Sequence, residues 1–366
     1  MIWLVWCCCF VAAVGLGLVL LCVAIHVYYR TKYLEQIIRI FEEKPLFIIP
    51  RGKREPNVED VSFRAVDGAK LCGCYLRHRS HSRRGVILFG LEFGSNRWAA
   101  IPYCDKLRDA GYDVFAYEPR NQGDSEVEST YAPMQWVTHK DVADARAAAK
   151  YLKSRPDADP RGYGIFGISK GGSVGLLLAA EDPEVRCVAT DGAFATYTTV
   201  VPYMRRWVSI YSNQKTLQRL APNFLYGSIA LVAMKRVATQ RQVQFPPIER
   251  SLKNLTTPVF MIHGQADTYI KPDMAKSLFH KIGAVQKTLW LVAKAKHNQA
   301  PQVEPILYHE KLVDFFETHL GDLAAEIESA TDLETLPVPR MVDTASMTAL
   351  AARELAPLPR LANAQG

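Results

Sequence analysis

One ten-residue stretch, Gly164-Ile165-Phe166-Gly167-Ile168-Ser169-Lys170-Gly171-Gly172-Ser173, constrains this chain more than any other. A short apolar run ends in Gly-x-Ser-x-Gly, and a second apolar run of helix formers, Val174 to Ala180, follows at once. That order reads as strand, sharp turn, helix. Gly167 and Gly171 flank Ser169 because strand and helix backbones come close together at such a turn. The turn lifts the Ser169 hydroxyl above the end of the strand. It also leaves the amide of Lys170 at a helix N-terminus, where unpaired N–H groups favour negative charge. A serine displayed this way is a candidate nucleophile.

The flanking sequence repeats the strand–helix theme. Val58 to Leu76 reads as a hairpin around Asp67-Gly68. Short apolar strands follow at Gly85–Gly90, Tyr112–Tyr117, Val185–Thr190, Pro258–His263 and Thr288–Val292. Between them, helical patterns run over Trp98–Ala110, Val137–Leu152, Met274–Ile282 and Ile306–Leu320. Such alternation predicts an α/β fold: a mostly parallel central sheet with helices on both faces. Ligands bind such sheets at the carboxyl ends of the strands. Residues 194–253 break the alternation with helical stretches rich in aromatic residues (Tyr197, Tyr203, Trp207, Tyr211, Phe224, Tyr226). They are expected to form a helical cap over that edge.

A serine hydroxyl needs an imidazole to take its proton and a carboxylate to orient the imidazole. Asp267 lies in the loop just past the Pro258–His263 strand, and His297 in the loop past the last strand. Asp191, also at a strand end, is the alternative acid. The order Ser169, Asp267, His297 suits a nucleophile–acid–histidine topology.

With these pieces in hand, residues 58–320 resemble the α/β-hydrolase superfamily. The branch they look most like is the membrane-anchored, serine-aminopeptidase-like one that includes protein depalmitoylases and related esterases. The matching residues are Asp67-Gly68, Arg120-Asn-Gln-Gly123-Asp-Ser125, Gly167-Ile-Ser-Lys-Gly171-Gly172, His263-Gly-Gln-Ala-Asp267 and Ala295-Lys-His297. The resemblance implies Ser169 as nucleophile, His297 as general base and then acid, and Asp267 as its orienter. It implies an oxyanion hole from the amides of Lys170 and Leu91, and neither cofactor nor metal. The chain departs from the family at Phe89-Gly90, where His-Gly is usual, and at Glu92, which disfavours an oxyanion unless it points away or pairs with Arg97. The Lys170 side chain is expected to be solvated at the helix start. The implied substrate is a lipophilic acyl ester or thioester. A peptidase or amidase of the same fold is the alternative, as is a catalytically weak membrane-bound binding protein, which the altered loop alone supports.

The N-terminus bears on location. Ile2 to Tyr29 contains no Asp, Glu, Lys or Arg, longer than the roughly 20 apolar residues a bilayer-spanning helix needs. Trp3, Trp6, Tyr28 and Tyr29 bracket it as interfacial aromatics would. A cleaved signal peptide has a basic start and a shorter core, so the run reads as an uncleaved single-pass anchor in contact with membrane lipid. Arg30, Lys32, Arg39, Lys44, Arg51, Lys53 and Arg54 follow it, which places the large domain on the cytoplasmic side. The net charge of +7 suits anionic headgroups, and no aromatic-and-basic array points to nucleic acid. The expected divisions are an anchor over 1–30, a juxtamembrane linker over 31–56, the hydrolase domain over 57–320 and a disordered C-terminal tail over 321–366. Within the linker, Leu34, Ile37, Ile38 and Phe41 share a helical stripe that either lies along the membrane surface or continues the anchor. The eight cysteines show no disulfide spacing, which favours a reducing compartment. Cys72-x-Cys74 with His78 and His81 reads more simply as a packed strand pair than as a zinc site.

Overall fold

The computed structural model describes residues 2–42, 51–56, 58–211 and 222–321. The expected tail beyond Gly321, the linker residues 43–50, residue 57 and residues 212–221 of the expected cap lie outside them. Eight strands form one sheet: β1 (Glu59–Arg64), β2 (Lys70–Leu76), β3 (Gly85–Gly90), β4 (Tyr112–Glu118), β5 (Tyr163–Ile168), β6 (Val185–Asp191), β7 (Val259–Gly264) and β8 (Lys287–Val292). Their order is β1-β2-β4-β3-β5-β6-β7-β8. The first hairpin is antiparallel, with Arg64 opposite Lys70 and the Asp67-Gly68 turn at its tip. Gly68 sits at φ 90°, where a side chain would be strained. β2 joins β4 antiparallel, and every later pairing is parallel. β3, β4, β5 and β7 are buried at every position, as apolar strands covered on both faces must be.

The helices are α1 (Ile2–Glu42), α2 (Ala100–Asp109), α3 (His139–Ser154), α4 (Lys170–Ala179), α5 (Tyr197–Tyr211), α6 (Asn223–Gln240), α7 (Ile248–Ser251), α8 (Pro272–Lys281), α9 (Ala300–Val303) and α10 (Pro305–His319). Apolar residues of α3, α4 and α8 build the core on one face of the sheet. Those of α2 and α10 build it on the other. This is the α/β-hydrolase architecture the sequence implies. Helix α3 starts where Thr138 and Asp141 form a reciprocal capping box. Helices α5, α6 and α7 occupy the stretch between β6 and β7 expected to form the cap.

Two motif pieces with no chemical role meet in one knot. Arg120, 2% exposed, donates from Nη2 to Asp144 Oδ1 on α3 at 2.6 Å, and from Nη1 to Asp67 Oδ2 in the hairpin turn at 2.6 Å and Glu128 Oε2 at 2.9 Å. Charge-assisted bonds of this kind satisfy a guanidinium that burial would otherwise penalise.

Helix α1 is continuous for 41 residues, about 60 Å at 1.5 Å per residue, roughly twice a bilayer's hydrocarbon core. Its apolar first part leaves its side chains exposed, and it is long and apolar enough to cross a membrane. Of the two courses open to the Tyr33–Phe41 stripe, the chain takes the continuous one. Leu34, Ile37, Ile38 and Phe41 are buried against the cap, each worth about 1.5–3 kcal/mol over exposure.

Candidate active site

The carboxyl ends of β5, β7 and β8 bring three distant residues together. Ser169 follows β5 directly and begins α4 with φ 51° and ψ −114°. That backbone is strained for a residue with a side chain. It is held from behind by the Ser169 amide donating to the Asp191 carbonyl at 2.7 Å. The glycines explain why the elbow closes: a Cβ on Gly167 would lie 2.5 Å from the Gly172 nitrogen, and one on Gly171 would lie 2.3 Å from the Gly90 carbonyl carbon.

Ser169 Oγ lies 3.0 Å from His297 Nε2. His297 Nδ1 lies 2.7 Å from Asp267 Oδ2. An ionised carboxylate only accepts, so Nδ1 carries the proton and the Nε2 lone pair faces the serine hydroxyl. Asp267 follows the end of β7, and its other oxygen accepts from the amides of Tyr269 at 2.7 Å and Ile270 at 2.9 Å. This local turn bond, which aspartate forms readily, holds the carboxylate independently of the histidine. His263, fully buried, bonds through Nε2 to the Ile270 carbonyl at 2.8 Å, and burial lowers its pKa.

Asp191, the alternative acid, turns elsewhere. Its carboxylate accepts from Tyr308 Oη at 3.0 Å, and burial pushes its pKa up to about 7. Leu91 and Gly90 lie against the elbow: a Cβ on Gly171 would come within 2.6 Å of the Leu91 carbonyl oxygen. The Leu91 and Lys170 amides therefore stand on two backbones in direct contact.

Two side chains differ from expectation. Lys170 is 6% exposed rather than solvated. Its ammonium meets Asp141 Oδ1 at 2.7 Å and the Met134 carbonyl at 2.8 Å, because α3 and the loop before it cover the helix start. Glu92 does not pair with Arg97. Arg97 instead engages Glu118 at 2.7 Å and Asp60 at 3.2 Å. Glu92 is 3% exposed, accepts from Asn298 Nδ2 at 2.8 Å, and has its pKa pushed up to about 7 by burial, against the bond from Asn298.

Asn298 and Asp141 carried no signal as site residues in the sequence, although Asn298 adjoins His297. Asn298 holds φ 54°, a conformation asparagine tolerates better than most residues. Gly192 makes room for it, since a Cβ there would meet Asn298 Oδ1 at 2.4 Å. The cleft before Ser169 is lined by Phe93, Trp136, Phe194, Tyr203, Tyr269 and Ile270, with Gln135 as a polar member. Of the cap aromatics singled out from the sequence, Tyr203 is among them, and among those with described side chains it is the only one. Cys72 and Cys74 lie on β2 and donate to the carbonyls of Asp124 and Arg97. Among the described residues, no group of three or more His, Cys, Asp or Glu is placed to hold a metal.

Comparison with known proteins adds relatives. The profile of the prolyl oligopeptidase family matches residues 104–323. Thiohydrolase aneE of Aspergillus aculeatus is 29% identical over 140 residues, 38% of this chain and 42% of that protein, so the match spans less than half of that relative's length. The uncharacterized protein YfhR of Escherichia coli is 24% identical over 265 residues, 71% of this chain and 80% of its own. The solved structure of an esterase from Pyrococcus furiosus superposes with a TM-score of 0.56 at 20% identity, covering 76% of this chain and 100% of that one. At such identity the structural likeness speaks for fold alone.

Proposed function

The chain belongs to the prolyl oligopeptidase family of α/β-fold serine hydrolases, and from that premise we propose that it is a membrane-tethered hydrolase of lipophilic acyl esters or thioesters. The observation that carries this reading is the unbroken row Ser169 Oγ to His297 Nε2 at 3.0 Å and His297 Nδ1 to Asp267 Oδ2 at 2.7 Å. His297 takes the hydroxyl proton as Ser169 attacks the substrate carbonyl. The amides of Leu91 and Lys170 stabilise the tetrahedral oxyanion, and His297 returns the proton to the leaving group. Water, activated by the same imidazole, then hydrolyses the acyl-enzyme. Burial disfavours the charged form of Glu92, which eases its conflict with a developing oxyanion.

The aromatic cleft supports an apolar acyl group, and the thiohydrolase relative supports a thioester as well as an ester. The length and composition of α1 support the tether, and the cations after its charge-free stretch support a cytoplasmic hydrolase domain. Residues 57–320 are then the catalytic domain, with residues 194–253 as its cap.

A fluorophosphonate probe tests the assignment. Wild-type protein labels, and Ser169→Ala neither labels nor turns over p-nitrophenyl esters, a loss on the order of a millionfold in kcat. Equal labelling of both proteins sinks it. The family match favours a second reading, amide-bond cleavage. Turnover of peptide p-nitroanilides above that of esters would establish that reading instead.

A further inference from the structure

The membrane helix and the cap share one hydrophobic cluster. The buried α1 residues Leu34, Ile37, Ile38 and Phe41 form a single stripe, packed on the α6 residues Ala230, Ala233, Met234 and Val237. Trp136, Phe194, Tyr203 and Ile270 belong to the same cluster, and these four line the cleft before Ser169. The Phe41 and Trp136 rings lie 5.3 Å apart. Part of α1 is thus the outer layer of the substrate cleft.

Three polar pairs set the direction and level of α6. Ser228 Oγ lies 3.1 Å from His26 Nδ1. Arg236 meets Glu35 at 2.9 Å, and Arg241 meets Glu42 at 2.8 Å. Residue numbers rise together on both helices, so α6 runs parallel to α1. His26 lies inside the charge-free stretch Ile2–Tyr29. The first turns of α6 therefore stand level with the apolar span, not above it. There α6 exposes Phe224 at 64% and, two turns on along the same face, Leu231 at 49%. Cations lie on the same elements: Arg30 and Lys32 are exposed on α1, and Arg205 stacks on Tyr226 and bonds Asn223 at the start of α6.

We propose that the cap is seated in an anionic lipid bilayer. The Phe224–Leu231 edge of α6 lies among headgroups and upper acyl chains beside α1. The cleft takes its acyl chain from an ester or thioester that resides in the membrane, rather than from one dissolved in water. The proposal rests on the tethered-hydrolase reading and names where its substrate is met. Lipid is the occupant because this edge continues the exposed apolar surface of α1, and the cations on these elements match anionic headgroups.

The test uses the full-length protein in phosphatidylcholine vesicles containing phosphatidylglycerol. Photoreactive benzoyl-phenylalanine in place of Phe224 is expected to give a lipid adduct on irradiation, read by mass. The same group in place of Val285, 96% exposed before β8, is expected to give none. A cross-linked dimer at position 224 would mean that a second copy covers this face, and no adduct would mean that water does; either overturns the proposal. In a second arm, Phe224→Asp/Leu231→Asp is expected to lower turnover of vesicle-borne p-nitrophenyl palmitate at least tenfold relative to soluble p-nitrophenyl butyrate. Equal change on the two substrates overturns the proposal. Fluorophosphonate labelling of Ser169 in the same vesicles reads the hydrolase separately. A lipid adduct without labelling keeps the seated cap and removes the enzyme.

Discussion

Ser169 holds a backbone conformation that costs about 1–3 kcal/mol, and the fold around it is dense enough to impose it. At the ends of the two strands that flank β5 stand two carboxyl groups, Glu92 and Asp191, each with its pKa pushed up to about 7 by burial. For an acid whose folded pKa exceeds its unfolded value, the folded state binds more protons between the two, so stability falls as pH rises across that window. For Glu92 the window runs from 4.5 to about 7, a loss on the order of 3 kcal/mol at 1.36 kcal/mol per unit. Glu92→Gln removes the ionisation while keeping an oxygen for Asn298. The variant is therefore expected to melt higher than wild type at pH 8, with the gap closing towards pH 5. A gap that does not change with pH would show that Glu92 does not titrate in this range. At this scale the meeting of Ser169, Asp267 and His297 was readable, since each lies in the turn or loop that follows a recognisable strand. The partners of Lys170 and Glu92 were not. Asp141 and Asn298 reach them only through folding, and neither residue type marks such a bond in advance.

At the scale of elements, the strand ends do the aligning. The Gly90–Leu91 backbone meets the elbow at Gly171, and a Cβ there would overlap backbone atoms at 2.3–2.6 Å. Backbone cannot rotate aside as a side chain does. Gly171→Ala is expected to cost about 1–3 kcal/mol in overpacking. It should also lower kcat on a soluble butyrate ester about 10²–10³-fold, the usual effect of losing one oxyanion donor, with KM little changed. Unaltered kcat would remove the Leu91 amide from the oxyanion hole. Strands and helices were legible because burial on both faces writes uniform apolar runs and surface helices write a period near 3.6. The course of α1 was not. Its Leu34–Phe41 stripe fits a membrane surface and a packed helix equally well, and contact with α6 decides between them.

For the whole molecule, Arg120 joins the first hairpin, the loop after β4 and α3. Arg120→Ala leaves Asp144 buried without its partner, and urea unfolding of the variant is expected to show a loss of about 3–5 kcal/mol. A loss under 1 kcal/mol would reduce this knot to a surface ion pair. The mostly parallel sheet with helices on both faces followed from alternation, whereas the arrangement of the cap did not, because a helical insertion carries no pairing rule to fix its neighbours. In the proposed enzyme, one unbroken helix would serve as both span and cleft wall. Such a catalyst works in two dimensions, and the concentration it experiences is counted in molecules per unit area. Adding buffer to a vesicle suspension should leave its rate on a lipid-borne ester unchanged, while adding inert lipid to the same vesicles thins the substrate and slows it.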